Sequence, residues 1–247
     1  MVDGFYGDFA TWSEALKYSN GYNNPAILEK VKSAVLKVKS GEAVYERDSV
    51  LFDQIEYSYP LLTYLLYIAL ANGNKLNVMD FGGSLGTSYF QCRNFLTHLK
   101  SLKWNVVEQK HFVQCGKKYI EGDHLKFYDH MEACIKAERP NVLLISGVLQ
   151  YLENPYQILQ EMLGYGLEYI IIDRTLFIDK PDRLTVQIVP PSIYSASYPA
   201  WFFNLNRFLT SFTNQYNEVD STDSFEYCRL DDGVLAQSSI ILFKRKS

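Results

Sequence analysis

Val78-Met79-Asp80-Phe81-Gly82-Gly83-Ser84-Leu85-Gly86 decides the fold. An apolar run ends in a carboxylate, Gly82, Gly83 and Gly86 follow, and a helical pattern starts near Thr87. Glycines at a strand-to-helix junction let the chain turn tightly and bring main-chain N–H groups close to a ligand that a Cβ would hold off. The dinucleotide pattern G-x-G-x-x-G fails in both registers. Started at Gly82 it meets Ser84 and Thr87 where glycine is needed, and started at Gly83 it meets Leu85 and Ser88. The order that fits is acid-x-Gly-x-x-x-Gly, from Asp80 to Gly86.

Downstream of this turn, short apolar runs alternate with helical spacings. The strands expected are Leu76–Phe81, Trp104–Val107, Leu125–Tyr128, Val142–Ile145 and Tyr169–Ile172; the helices run from about Gly86 to Leu99, His111 to Ile120, Met131 to Ala137 and Pro155 to Leu163. Such alternation predicts βαβ units and a mainly parallel sheet. Leu184–Val189 reads as a further strand, about Ala200 to Phe212 as a helical stretch, and Ser224–Arg229 with Ser239–Lys244 as a hairpin around Asp231-Asp232-Gly233. Upstream, Asn24-Pro25 caps a helix that ends at Gly41, and Ser58-Tyr59-Pro60 starts another that closes at Asn72-Gly73-Asn74. The fold class is therefore α/β, doubly wound and Rossmann-like, with a seven-stranded sheet, an antiparallel C-terminal edge and an N-terminal helical cap. We divide it as cap 1–74 and core 75–247, the core carrying an aromatic-rich insertion at about 185–216, in one elaborated domain.

Composition agrees with a folded chain. Of 247 residues, 47% are hydrophobic and 21% charged, which excludes disorder and collagen-like repeats. A net charge of −4 gives a polyanion no attraction, so nucleic acid is not an expected partner. The stretch Leu61–Ala71 is too short to span a bilayer, and Met1–Phe5 lacks a secretory signal pattern. Cys92, Cys115, Cys134 and Cys228 form no C-x-x-C pair and, with four histidines, no metal-ligand cluster. The expectation is a cytoplasmic protein without a metal. Aromatic residues reach 15%, with nineteen tyrosines, which suits extra core, an interface or a ligand pocket equally.

Three further segments follow the glycine turn in order. Glu108 ends the second strand 28 residues after Asp80, where a carboxylate can accept bonds from two ribose hydroxyls or can simply be solvated. Tyr128-Asp129 ends the third strand; Asp129 is equally suited to cap the next helix. The fourth strand runs into Ser146-Gly147-Val148-Leu149-Gln150-Tyr151-Leu152-Glu153-Asn154-Pro155. Together with the Asp80–Gly86 turn, these segments resemble class I S-adenosylmethionine-dependent methyltransferases. In that family the loop's central position is often glycine where this chain has Ser84, and Gln150 and Tyr151 stand where Glu and His are frequent. The resemblance implies S-adenosylmethionine (SAM) as cofactor, held by Asp80, Gly82, Gly83, Ser84, Gly86, Glu108, Tyr128, Asp129 and Ser146.

A wider resemblance covers nearly the whole chain. It rests on Gly4–Ala15, Gly21-Tyr22, Tyr45-Glu46-Arg47-Asp48, Asp80–Gly86 and Gln187–Tyr194, which are similar to a bacterial family of methyltransferases found beside surface-polysaccharide genes. It implies methyl transfer to a small-molecule or glycan acceptor, such as a sugar hydroxyl. A hydroxyl acceptor needs a proton acceptor nearby. Asp173, expected at the end of the fifth strand, is the candidate base, against the alternative of a salt bridge with Arg174; His111 and His130 are lesser candidates. Tyr45, Arg47, Tyr194 and Tyr198 are assigned to the acceptor, and Phe202 and Phe208 to the core. A nucleotide-sugar or nicotinamide-dependent oxidoreductase on a related fold, or a non-catalytic cofactor-binding adaptor, are the competing readings.

Overall fold

The computed structural model describes residues 3–20, 25–47, 49–190, 193 and 196–247. Of the residues named above, Met1, Gly21, Tyr22, Asn24, Asp48 and Tyr194 lie outside the described residues. In chain order the elements are β1 (Gly4–Tyr6), α1 (Trp12–Leu16), α2 (Pro25–Ser40), β2 (Tyr45–Arg47), β3 (Val50–Phe52), α3 (Tyr59–Ala71), β4 (Lys75–Phe81), α4 (Thr87–Leu96) and β5 (Ser101–Val107). They continue with α5 (Lys110–Cys115) and a π-helical turn Gly116–Ile120, β6 (Leu125–Tyr128), α6 (Met131–Glu138), β7 (Val142–Ser146), a 3-10 turn Leu149–Tyr151 and α7 (Pro155–Gly164). The last are β8 (Tyr169–Ile178), β9 (Arg183–Ile188), β10 (Ser197–Asn204), α8 (Leu205–Thr210), β11 (Tyr216–Arg229) and β12 (Leu235–Arg245). The mixed α/β architecture with a mostly parallel sheet is the one expected, and every strand read from the sequence is present.

The chain forms two compact units. One comprises Leu28–Ser146 and Leu167–Ile171. Its strands lie in the order β8-β7-β4-β5-β6, with β4 parallel to both β7 and β5, and β5 parallel to β6. Val142, Leu143, Leu144 and Ile145 are all fully buried, as a central parallel strand covered on both faces requires. Ser58 caps α3 by accepting a bond from the Leu61 N–H (3.4 Å), with Pro60 in the first turn.

The other unit comprises 1–27, Gly147–Gly166 and Ile172–Ser247. Here β9 runs antiparallel to β1 and β10, β10 parallel to β8, and β11 antiparallel to β12. Ala15 of α1 packs on Leu184 and Val186, with Phe9, Trp12 and Trp201 around them. A ring cluster fills the rest: Phe208 meets Phe177, Phe203 and Phe212, and Phe212 stacks on Phe243 at 4.0 Å. The Arg183 guanidinium fastens the edge, donating to the Gly7 carbonyl (2.9 Å), Asp232 (2.6 Å) and Asp231 (2.8 Å).

Three expectations need correction. About Ala200 to Phe212 is not one helix: Ser197–Asn204 is a strand and only Leu205–Thr210 is helical. A short aromatic run fits either period, and pairing on both sides decided for the strand. The segment before Leu76 is not purely helical, since β1 joins β9 and β2 pairs with β3. Finally, β8 continues to Ile178, so Asp173 lies within the strand rather than at its end.

Candidate functional site

The Asp80–Gly86 turn is held by backbone geometry. Asp80 is buried at the end of β4, and its Oδ2 accepts a 2.8 Å bond from the Trp104 indole N–H on β5. That register is set by the sheet: Trp104 lies opposite Val78, and side chains two residues along a strand share a face. The carboxylate lies against the Gly83 Cα, where a Cβ would overlap it. Gly82, Ser84 and Gly86 have φ of 71°, 53° and 92°. Three left-handed residues alternate through the turn, a conformation natural to glycine and costing about 1–3 kcal/mol at serine. The frequent glycine at the Ser84 position of similar turns thus has a conformational reason here. Gly86 also has a packing reason, because a Cβ there would stand 2.9 Å from Leu125 Cδ2.

Glu108 follows β5, half-buried beside this turn. Its carboxylate accepts bonds from the Gln109 N–H (2.6 Å) and the Ser84 N–H. Burial raises its pKa above the ordinary carboxylate value, and the two N–H groups oppose the rise. The left-handed Ser84 therefore ties the glycine turn to the second acidic residue of the expected set. Thr87, the first residue of α4, donates its hydroxyl to the buried Glu46, which also accepts from the Ser49 N–H at 3.2 Å. Glu46 and Trp104 are supporting residues that spacing alone does not single out; only the strand register reveals the second.

The remaining expected cofactor residues are more dispersed in role. The Tyr128 hydroxyl donates to Glu138 (2.7 Å), which also receives Lys103 (2.9 Å) and Lys126 (2.8 Å). These donors hold the Glu138 carboxyl down to about 2, while burial and the adjacent carboxylate push the Tyr128 phenol up. Asp129 is exposed and does not cap α6, whose N-cap residue is His130. Ser146 is half-buried at the end of β7. Tyr45, assigned from the sequence to the acceptor, is 2% exposed, with its ring against Phe52 and its hydroxyl accepting from Gln91 (3.1 Å). Its neighbour Arg47 is half-buried on β2.

In the second unit, Asp173 is buried, and its carbonyl accepts from the Gly147 N–H (2.9 Å) and the Thr175 hydroxyl (3.3 Å). Arg174 adopts φ 50°, its carbonyl accepts from Gln150 Nε2 (3.2 Å), and its Nε lies 3.6 Å from Glu226. Tyr198 is half-buried, edge-on to Tyr151 at 5.1 Å. Phe202 and Phe208 are buried, as assigned. No helix of the described residues is long and apolar enough to cross a membrane.

No protein-family model matches the sequence, and no curated protein sequence matches it either. Solved structures do resemble the fold. The N-terminal domain of EvdMO1, solved with SAH bound and also in the presence of SAH and D-fucose, has a TM-score of 0.52 at 9% identity, covering 88% of this chain and 97% of that one. A SAM-dependent methyltransferase from Methanosarcina mazei has a TM-score of 0.50 at 9% identity, covering 76% of this chain and 98% of its own. The chain has the fold of these proteins.

Proposed function

We propose that the protein is a SAM-dependent methyltransferase acting on a hydroxyl of a small-molecule or glycan acceptor. The observation that carries the reading is the turn itself. Gly83 is packed on the Asp80 carboxylate, and Ser84 is turned so that its N–H meets Glu108. This cradle fits a nucleoside: left-handed Gly82, Ser84 and Gly86 bare the main chain, and Glu108 offers acceptor oxygens for two hydroxyls. The fold shared with EvdMO1, whose structure was solved with SAH, supports the same cofactor.

Asp80, Gly82, Gly83, Ser84, Gly86 and Glu108 would hold SAM, with Asp129, Ser146 and the Tyr128 ring completing the set. When bound, SAM supplies an electrophilic methyl group. The chain's own task is to orient the acceptor oxygen and keep water away, which a displacement reaction requires more than any covalent help. Asp173 is the base assigned to take the hydroxyl proton, and Arg47, Tyr194 and Tyr198 are assigned to acceptor contacts. A sugar of a surface polysaccharide as acceptor rests on the resemblance quoted above, and D-fucose in an EvdMO1 structure is in keeping with it.

Calorimetric titration with SAM tests the cofactor site. Binding to the wild type and its loss in Gly82→Val are expected, and equal binding by the variant removes the site from consideration. NAD(H) binding in place of SAM would favour the oxidoreductase reading. For the base, Asp173→Asn should lower turnover far more than SAM affinity.

A further inference from the structure

Gln187 sits in a row of side chains that the glycine-turn chemistry does not use. It pairs with Phe5 of β1 on one side and Tyr198 of β10 on the other. Directly opposed residues of antiparallel strands share a face, so the amide stands between two aromatic rings. The Phe5 ring is fixed edge-on to Phe202 at 4.9 Å, and the Tyr198 ring edge-on to Tyr151 at 5.1 Å with an 89° interplanar angle. Tyr151 also donates its hydroxyl to Gln187 Oε1 at 2.8 Å.

That last bond fixes the amide. With its oxygen facing Tyr151, the NH2 group points away, and it makes no hydrogen bond among the described residues. Tyr151 is itself held firmly, because its 3-10 turn is anchored by the fully buried Leu149 and by Gln150, which donates to the Arg174 carbonyl. Phe5, Tyr151, Gln187 and Tyr198 are each only partly buried, so the row is reachable. None of the four is charged.

We infer that Gln187 is the specificity-determining donor of a sugar subsite, its amide aimed by Tyr151 and flanked by the Tyr198 and Phe5 rings. The chemistry matches a neutral pyranose. Such a ring presents C–H groups that lie well on aromatic faces and hydroxyls that accept from an amide NH2. The assignment rests on the acceptor reading above and names the residues that would recognise the acceptor.

The test uses saturation-transfer NMR on the full chain with methyl β-D-galactopyranoside as probe. The wild type should transfer saturation to the ring protons. Gln187→Met, which keeps the shape and removes the donor, should weaken the apparent affinity about tenfold, and Tyr198→Leu should abolish the signal, both with unchanged far-ultraviolet dichroism. Absence of transfer in the wild type, or an undiminished signal in Gln187→Met, overturns the subsite. SAM calorimetry on the same samples separates the two readings. Bound SAM without sugar contact removes only the subsite, and sugar contact without SAM removes only the methyltransferase.

Discussion

Around β4, main-chain geometry holds the candidate site together: alternating left-handed residues, a carboxylate pressed on a glycine and an N–H directed at a second carboxylate. Around β9 and β10, side chains do the equivalent work, with interlocked rings on both faces of the strands and a three-armed arginine at the edge. The first kind of order depends on which residues lack a Cβ and where, so it tolerates almost no substitution at a few positions. The second kind depends on total volume and shape, so it distributes its cost over many.

This contrast can be broken first in the ring cluster. Phe208→Ala removes the ring shared by Phe177, Phe203 and Phe212, and chemical denaturation should show a loss of about 3–5 kcal/mol. In the other unit, Gly83→Ala should disturb the cofactor more than the fold. Displacing the Asp80 carboxylate costs about 1–3 kcal/mol, which calorimetry should register as roughly 5- to 150-fold weaker SAM binding. If stability falls and SAM affinity does not, the turn is structural only.

Smaller effects sharpen the comparison. Glu138, held at about 2 by two lysines and a tyrosine, stabilises the fold while it is ionised. Its contribution is present above the ordinary value of 4.5 and is lost as pH falls toward about 2. Glu138→Gln should flatten the stability profile in that window and cost about 1–3 kcal/mol at neutral pH. For Glu108 the direction is reversed: burial raises its pKa, so its ionised form disappears first on acidification. SAM affinity should therefore weaken at a pH above the ordinary carboxylate range, and Glu108→Gln should remove that dependence. The smallest change is Ser84→Gly. Relief of the left-handed backbone, offset by a more flexible unfolded chain, should leave a gain of no more than about 1 kcal/mol in thermal unfolding.

The sequence was most legible where period and punctuation agree. Pro25–Ser40 and Tyr59–Ala71 match their helix-start signals within a residue or two, and the runs from Leu76 to Ile172 match the parallel strands. The Asp80–Gly86 turn was legible because glycine leaves a mark in the sequence. The run Tyr198–Phe203 carries no such mark: its aromatic residues suit either period, and only the pairing partners at Leu184–Gln187 and at Phe177 resolve it. The true start of α8 did carry a local signal, since Asn204 accepts from the Arg207 N–H at 3.0 Å as a helix cap. The roles of Tyr45 and Tyr128 were illegible for another reason: a tyrosine has the same spelling whether its hydroxyl meets Gln91 or Glu138 indoors or a ligand outside.

The clasp at Arg183 has a consequence for biosynthesis. β1 finds its partner strand only at Val186–Ile188, and the Gly7 N–H bonds Asp231 at 2.9 Å, 224 residues later. At roughly 5–20 residues per second, the first strand waits about 9–36 s on the ribosome before its mate exists. During that interval Phe9 and Trp12 have only Ala15 and Tyr18 of their native partners, and Phe5 has none of its cluster, because Ile178, Leu184, Val186, Phe202, Leu230 and Ala236 are still unmade. The segment carrying β1 is made long before its partners and is among the last to be folded.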